Sequence, residues 1–412
     1  MTQLDYTVGV GKESTYGTAV APEQFFESEA KMDLEITTVS AAGLRPGKGV
    51  HRTNRNSVVR RAVMGDIDVE ITDAGFALLL EAVLGTKTSA AGVDTFTLKT
   101  NDPMPSYTIE EVVPFLGGSG QAGQTFAGCV AESITIDVKE GAIVTAKVSW
   151  IGKQYATKGS PAAASYPAGD ELFTFVGGSI TLNSLVVSNV TEFSVTIKNN
   201  FDGGGFNLGA AGLRARRPEL GKRDITGSLN AELVNATITD WYTSQNALPI
   251  VLNLTTSRGG KLDITLPAVR TKGELPKSNG GQVSVQTVSF EAFDNGVAAQ
   301  PVTIAYKSAG SVADPVIVSA TWGDWYLDPG DSYALTTVTG ATTVTLERLP
   351  KGASTGTWVT ITATADGGTP GRYNYPLPGD ATNAATYRVR VKATNSVGVS
   401  VYSAEVLKTV TP

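Results

Sequence analysis

Asp66, Asp68 and Glu70 stand two residues apart in MGDIDVEITDAGFALLLEAVL, Met64–Leu84. On a strand that spacing puts all three carboxylates on one face. Such a set is able to do general acid and base chemistry or to hold a divalent ion. Because the three alternate with Ile67, Val69 and Ile71, the favoured reading is the solvated side of a half-buried strand. Nucleophilic hydrolysis needs a Ser or Cys, a base and an orienting acid. The single histidine, His51, lies in a Gly-rich basic loop, where an interface or structural role is favoured over catalysis. One histidine and one cysteine, Cys129, exclude the common His/Cys metal sites and an internal disulfide. GGGFNLG, Gly203–Gly209, resembles a phosphate-binding glycine run only loosely: it lacks the final spacing, the preceding buried strand and the following helix. It reads as a loop. No catalytic residue, cofactor or metal is expected.

The carboxylates sit on a strand that runs into a helix, where Phe76, Leu79, Leu80, Val83 and Leu84 recur at helical spacing and Thr72 or Asp73 is placed to cap the turn. Gly227–Asn246 repeats the grammar: Leu229, Ala231 and Leu233 alternate, then Ile238, Trp241 and Tyr242 take the helical face. Arg60 and Arg61 precede the first stretch as Lys222 and Arg223 precede the second, and GAIVTAKVSW (Gly141–Trp150) and GGQVSVQTVSF (Gly280–Phe290) close the two with Val, Ser and an aromatic residue. The strand Glu29–Ile36 has its counterpart in Phe193, Val195 and Ile197. The chain is expected to contain itself twice.

With 412 residues, 45 of them Gly, and only 17% charged, the composition favours an all-β class of about two to four domains. The net charge of -6 argues against a chain held to nucleic acid by phosphate neutralisation. Met1-Thr2-Gln3-Leu4-Asp5 has no basic region followed by an apolar core, so no secretory signal is expected, and Phe76–Leu80 is too short to span a bilayer. A Gly, Ala, Ser and Pro segment, Lys158–Ala168, joins the halves, and a second soft linker, Lys307–Asp314, precedes a change of character. Beyond it Trp322, Trp325 and Tyr326 cluster, and turns such as Asp328-Pro329-Gly330 punctuate short strands. The segment YRVRVKATNSVGVSVYS, Tyr387–Ser403, resembles the last two strands of immunoglobulin-like and fibronectin type III domains, with Tyr387 at the corner tyrosine's place.

The order of signals in each half is two strands joined by a long loop, a strand then a short helix, and closing strands. In this it resembles the tail tube fold of long-tailed, siphovirus-type bacteriophages. The resemblance implies a mainly β chain: two tandem tail-tube-type β-sandwich units, residues 1–157 and 158–306, each with a flanking short helix, plus an immunoglobulin-like β-sandwich at 312–412. It implies a structural virion protein with no enzymatic activity. Family tubes present six units per ring, so a doubled chain is expected to close as a homotrimer with pseudo-sixfold symmetry. Stacked rings then conduct DNA during ejection. The implied partners are other copies of the chain, tape measure protein and DNA in the lumen, and tail terminator and tail-tip proteins, with no membrane insertion and with assembly in the host bacterial cytoplasm.

By position, the loops Gly43–Arg61 and Asp202–Arg223 match the family's stacking loops. Arg45, Lys48, Arg52, Arg55, Arg60 and Arg61 in the first and Arg214, Arg216, Arg217 and Arg223 in the second are the expected contacts between rings or subunits, arginine suiting bidentate pairing with carboxylates. Asp66, Asp68 and Glu70 become a candidate lumen wall, whose negative charge would repel passing DNA. The alternative is a phage adhesin or cell-surface carbohydrate-binding β protein, with Trp322, Trp325, Tyr326 and Trp358 as a stacking platform.

Overall fold

A computed structural model describes residues 6–43, 47, 49–115, 121–277, 280–281, 283–309, 316–322, 325–326, 332–339, 343–361, 364–365, 372–375, 385–394 and 400–411. The chain divides into two compact units, one of Met1–Thr88 with Asp94–Gly310, the other of Ser89–Val93 with Ser311–Pro412.

The first unit is built on the strands β1 (Thr7–Lys12), β2 (Gln24–Phe26), β3 (Ser28–Ser40), β4 (Asn56–Glu70), β5 (Gly85–Ala90) and β6 (Val93–Leu98), of which Ser89, Ala90 and Val93 fall to the second unit, and on β7 (Tyr107–Pro114), β8 (Gln121–Lys139), β9 (Thr145–Gly152) and β10 (Gln154–Lys158). They continue as β11 (Gly178–Leu182), β12 (Leu185–Val187), β13 (Val190–Lys198), β14 (Asp224–Glu232), β15 (Leu248–Thr255), β16 (Lys261–Gly273), β17 (Val285–Ala292) and β18 (Thr303–Lys307). Eight of them pair antiparallel in the order β3-β4-β9-β8-β13-β14-β17-β16. This sheet is two like blocks of four, and β8 and β13 join them edge to edge from Glu192↔Lys139 to Lys198↔Ser133.

The long strands β8 and β16 each serve two layers. Up to Cys129, β8 pairs with β7 and β10, and from Val130 onward with β9 and β13. Likewise β16 pairs with β15 and β18 through its first part and with β17 from Val269 to Gly273. Register shifts at Tyr107/Ile109 and at Leu248/Ile250 let each hairpin bend from one layer to the other. Inward residues of both layers form the core: Ile67, Val69, Ile134, Ile136, Val148 and Trp150 of the eight-stranded sheet with Ile109 and Phe126 of the other layer in the first half, and Phe193, Val195, Leu229, Val288 and Phe290 with Leu252 and Ile264 in the second.

Glycine makes the two blocks match. Gly65 lies opposite Trp150 and Gly227 opposite Phe290. A Cβ at Gly227 would fall 2.2 Å from Phe290 Cζ and 2.3 Å from the Ser194 carbonyl oxygen, and one at Gly65 would fall 2.4 Å from the Lys31 carbonyl oxygen. At Gly227 the Phe290 ring therefore needs a residue without a side chain beside it, whereas at Gly65 it is the Lys31–Met32 backbone of β3 that needs the space.

Helices α1 (Ala77–Leu84) and α2 (Thr237–Ser244) follow β4 and β14. Both end on a left-handed residue, Gly85 and Gln245. The expected side-chain cap of α1 is not formed. The helix starts after Phe76 with no capping bond, because a turn at Gly75 separates it from the polar pair. Thr72 donates instead to the Ala74 carbonyl at 2.8 Å. The fully buried Asp73 accepts from Glu171 N–H at 2.9 Å and from the Thr256 hydroxyl at 3.0 Å, tying the first half to the linker and the second half.

In the second unit the described strands form two sheets: Val316–Trp322, Ser332–Thr339, Arg372–Tyr375 and Thr364–Ala365 in one, and Trp325–Tyr326, Val406–Thr411, Thr386–Thr394, Thr343–Arg348 and Val359–Ile361, with Ser400–Tyr402 beside Thr386–Thr394, in the other. Tyr387, Val389, Val391 and Ala393 are buried there with Leu346.

Gly227→Ala should lower the stability of the first unit by about 1–3 kcal/mol through overpacking against Phe290. Gly43→Ala, where a Cβ meets nothing within 4 Å, should leave the chemical denaturation midpoint unchanged.

Candidate assembly surfaces

Between β3 and β4 the ladder runs from Ser28↔Val69 to Ser40↔Asn56, farther than the core that supports it. Ala62, Val63 and Ile67 are buried, but beyond Ile36↔Arg61 the hairpin is exposed on both faces. Ile36, Val39, Val58 and Val59 stand about half exposed there. Apolar β-branched residues gathered on a projecting hairpin mark a surface suited to a partner. Arg52 precedes and Arg55 closes a 3-10 turn at Thr53–Arg55 near the tip, and Arg60 and Arg61 lie in the ladder opposite Thr37 and Ile36. Arg45 and Lys48 lie outside the described residues.

The second basic loop has a different conformation. It folds back over the first half. Arg214 is buried and donates to the Gly204 carbonyl, and its guanidinium and that of Arg60 both lie over the Phe206 ring, at 4.8 and 4.3 Å. Arg217 donates to the Met104 carbonyl and the Ser106 hydroxyl and sits 5.2 Å from the Tyr16 ring centroid. Arg223 donates to Asn199 Oδ1 at 2.7 Å and to the Lys99 carbonyl at 2.6 Å, while the Asn199 amide donates to the Val83 and Ala131 carbonyls. Arg216 pairs with Asp202 and Glu219. Burial lowers the pKa of Arg214, Arg217 and Arg223, and burial pushes the Tyr16 hydroxyl up to about 12. These contacts give the loop a buttressing role within the chain.

The side of the eight-stranded sheet away from the core is mostly polar, with Met64 and Val285 as exposed apolar exceptions. Asp66 and Asp68 sit on it, opposite Lys31 and Glu29 on β3 and Ser149 and Lys147 on β9. Lys147 reaches Asp66 at 2.8 Å and Lys31 reaches Asp68 at 3.6 Å. Burial pushes the Asp66 carboxyl up, but hydrogen bonds from Lys147 and Ser149 and the Lys147 charge outweigh it, so the net shift is downward. Glu70 is exposed at the strand's end, opposite Thr145. The face continues as Thr135, Ser194, Thr196, Ser228, Asn230 and Ser289, with the Thr135 and Thr196 hydroxyls 2.9 Å apart. It is a hydroxyl and carboxylate surface with lysines laddered into it.

Besides Asp73, three acids of the first half are buried. Glu13 accepts from the Thr108 hydroxyl and Gly128 N–H, both at 2.8 Å, and Glu110 accepts from Lys158 and from Ala162 N–H. Glu111 has one bond, from Met32 N–H at 3.1 Å, and no cation reaches it among the described residues. Burial pushes its carboxyl up to about 7. In the sequence its only signal is the doubled acid in YTIEEVVP, which breaks an apolar strand.

Among the described residues no cluster of His, Cys, Asp and Glu is suited to a metal ion, and no helix is long and apolar enough to cross a membrane. His51 is exposed in the hairpin loop. Trp358 is half-buried with the Arg390 guanidinium 4.0 Å from its ring centroid, and the side chains of Trp322, Trp325 and Tyr326 lie outside the described residues. Strand edges, a polar sheet face and a projecting hairpin are the surfaces of a structural β protein. The chain belongs to the phage tail tube protein family, whose model, described as "Phage tail tube protein", matches residues 4–292. It is a structural component of a bacteriophage virion. No curated protein matches it.

Buried Glu111 makes the stability of the isolated chain depend on pH. A carboxyl raised from 4.5 to about 7 binds its proton more tightly folded than unfolded, so its contribution to stability is present at low pH and is lost as pH rises through that window. Glu111→Gln keeps an acceptor for Met32 and removes the titration. Its denaturation midpoint should gain on wild type between those pH values and stay level with it below them.

Proposed function

We propose that three copies of this chain close into a pseudo-hexameric ring, and that rings stack into the tail tube of a siphovirus-type phage. The observation that carries this reading is the internal β8:β13 seam. It joins two like blocks edge to edge and leaves an edge of the same kind at either end, on β3 and at the end of β16. Two tandem tube-type units per chain, residues 1–157 and 158–306, make three copies the natural closure to six units. The polar sheet face then lines the lumen. Asp66, Asp68 and Glu70 add negative charge to a surface rich in hydroxyls, over which DNA and tape measure protein slide without adhering.

The β3–β4 hairpin is the stacking element. Its half-exposed Ile36, Val39, Val58 and Val59 enter the next ring, and Arg45, Lys48, Arg52, Arg55, Arg60 and Arg61 pair with acidic strand faces there. In the second loop Arg216 is the arginine most available for a neighbour, since Arg214, Arg217 and Arg223 are turned inward. Residues 312–412 form an immunoglobulin-like decoration on the outside of the tube. Assembly takes place in the host cytoplasm, and the tube ends meet terminator and tail-tip proteins.

Arg52→Glu combined with Arg55→Glu should leave rings intact and shorten or abolish tubes, read by negative-stain microscopy over a concentration series. Tubes of wild-type length from that variant would remove the hairpin arginines from the inter-ring contact.

A further inference from the structure

The open edge of β3 is occupied by side chains. At alternate residues Ala30, Met32 and Leu34, the main chain bonds side chains in place of a strand. The Tyr6 hydroxyl accepts from Ala30 N–H at 3.2 Å and donates to the Ala30 carbonyl at 3.1 Å; Glu111 accepts from Met32 N–H; and Asp33 accepts from Leu34 N–H at 2.7 Å. Edge strands are commonly blunted by charged groups, which keeps copies from pairing indiscriminately.

The repeat shows what should lie there. Ala30 is opposite Ile67 and Ile67 opposite Val148, as Phe193 is opposite Leu229 and Leu229 opposite Val288. Phe193, Val195 and Ile197 are therefore the counterparts of Ala30, Met32 and Leu34, and they pair with Val138, Ile136 and Ile134 of β8. Ile134 faces Val148 as Gly273 faces Val288. Four residues further along come Val138 in one half and Lys277 in the other. Ile109 faces Phe126 as Ile250 faces Leu266, so two residues on, Glu111 corresponds to Leu252.

Val138 and Leu252 line one cavity together with Phe193, beside the internal seam. At the chain's outer edges the same two positions are Lys277 and Glu111. Inside the chain the pair is apolar; between chains it is a cation and a carboxylate.

We infer that the segment Gly273–Lys277 of one chain pairs antiparallel with Ala30–Leu34 of a second copy, Lys277 opposite Ala30 and Gly273 opposite Leu34, and that Lys277 neutralises Glu111 as it displaces the edge caps. This rests on copies joining through their sheet edges, as in the proposed ring. In the free subunit Lys277 is exposed and among the described residues pairs only with Glu274 three residues away, a contact of little value that is readily given up. Asp33 then meets Glu274 where Thr196 meets Thr135 in the internal seam, with Lys31 and Lys272 on the diagonals. A charged pair replacing an apolar one makes the outer seam distinct from the inner one, so an incoming strand that lacks the lysine leaves Glu111 buried and unpaired.

Asp33→Cys with Glu274→Cys in the full chain tests the register, because opposed residues lie within disulfide reach. The native thiol, Cys129, is buried. Mild oxidation of rings should give covalently linked dimers and higher species on a non-reducing gel, whereas Asp33→Cys with Arg270→Cys, four residues out of register, should not. Glu111→Ala and Lys277→Ala should each raise the concentration for half-assembly by at least about tenfold, with little further loss in the double variant. Wild-type chain that assembles while the in-register pair stays unlinked, or while both alanine variants assemble like wild type, overturns this seam and leaves the tube reading standing. Wild-type chain that never assembles overturns the tube reading and the seam with it.

Discussion

A strand at the edge of a sheet presents N–H and C=O groups that need partners, and most of this molecule's organisation follows from how that need is met. Between the two halves it is met by β8 and β13 pairing within one chain. On β3 it is met by Tyr6, Glu111 and Asp33. The first solution is a full ladder over an apolar core. The second is a set of side-chain bonds, one from a carboxylate whose burial is unfavourable. That imbalance leaves a strand from another copy with something to gain: it replaces side-chain caps with a ladder and gives a buried acid a cation.

The remaining features serve that sheet. Gly227 gives the Phe290 ring its space, and Gly65 leaves room for the Lys31–Met32 backbone of the neighbouring strand. Asp73 and the arginines of the second loop fasten one half to the other, with Arg223, Asn199 and the Val83 carbonyl forming a continuous hydrogen-bonded path. The proposed ring would require such a fastened pair of blocks, because any hinge between them would change the curvature of its sheet. The hairpin, by contrast, extends past the core and has few groups of its own chain to satisfy it.

The sequence makes the mainly β class, both short helices and the repeat legible, since alternation and helical spacing are local patterns. The match between Gly65 and Gly227, five residues after paired basic residues, is a direct imprint of the equivalent strands. What stays hidden is set by distant partners. The two basic loops look alike in composition, yet in the second Arg214, Arg217 and Arg223 are drawn inward by the Gly204 carbonyl, the Met104 carbonyl and Asn199, while Phe206 takes one arginine from each loop, Arg60 and Arg214. Asp66 and Asp68 read as a bare acidic stripe until β3 and β9 bring Lys31 and Lys147 across from them. Asp73 resembles a helix cap in sequence, but its partners, Glu171 and Thr256, lie far along the chain. Glu111 becomes meaningful only beside an unpaired strand edge, which no local pattern announces.

The central claim is that one chain carries two ring positions and that its edges close on copies of itself. Native mass spectrometry of isolated rings tests it most directly. The spectrum should show a single closed species of three chains of 42.9 kDa each. A ring of six chains, or an open series of oligomers without a preferred size, would contradict it.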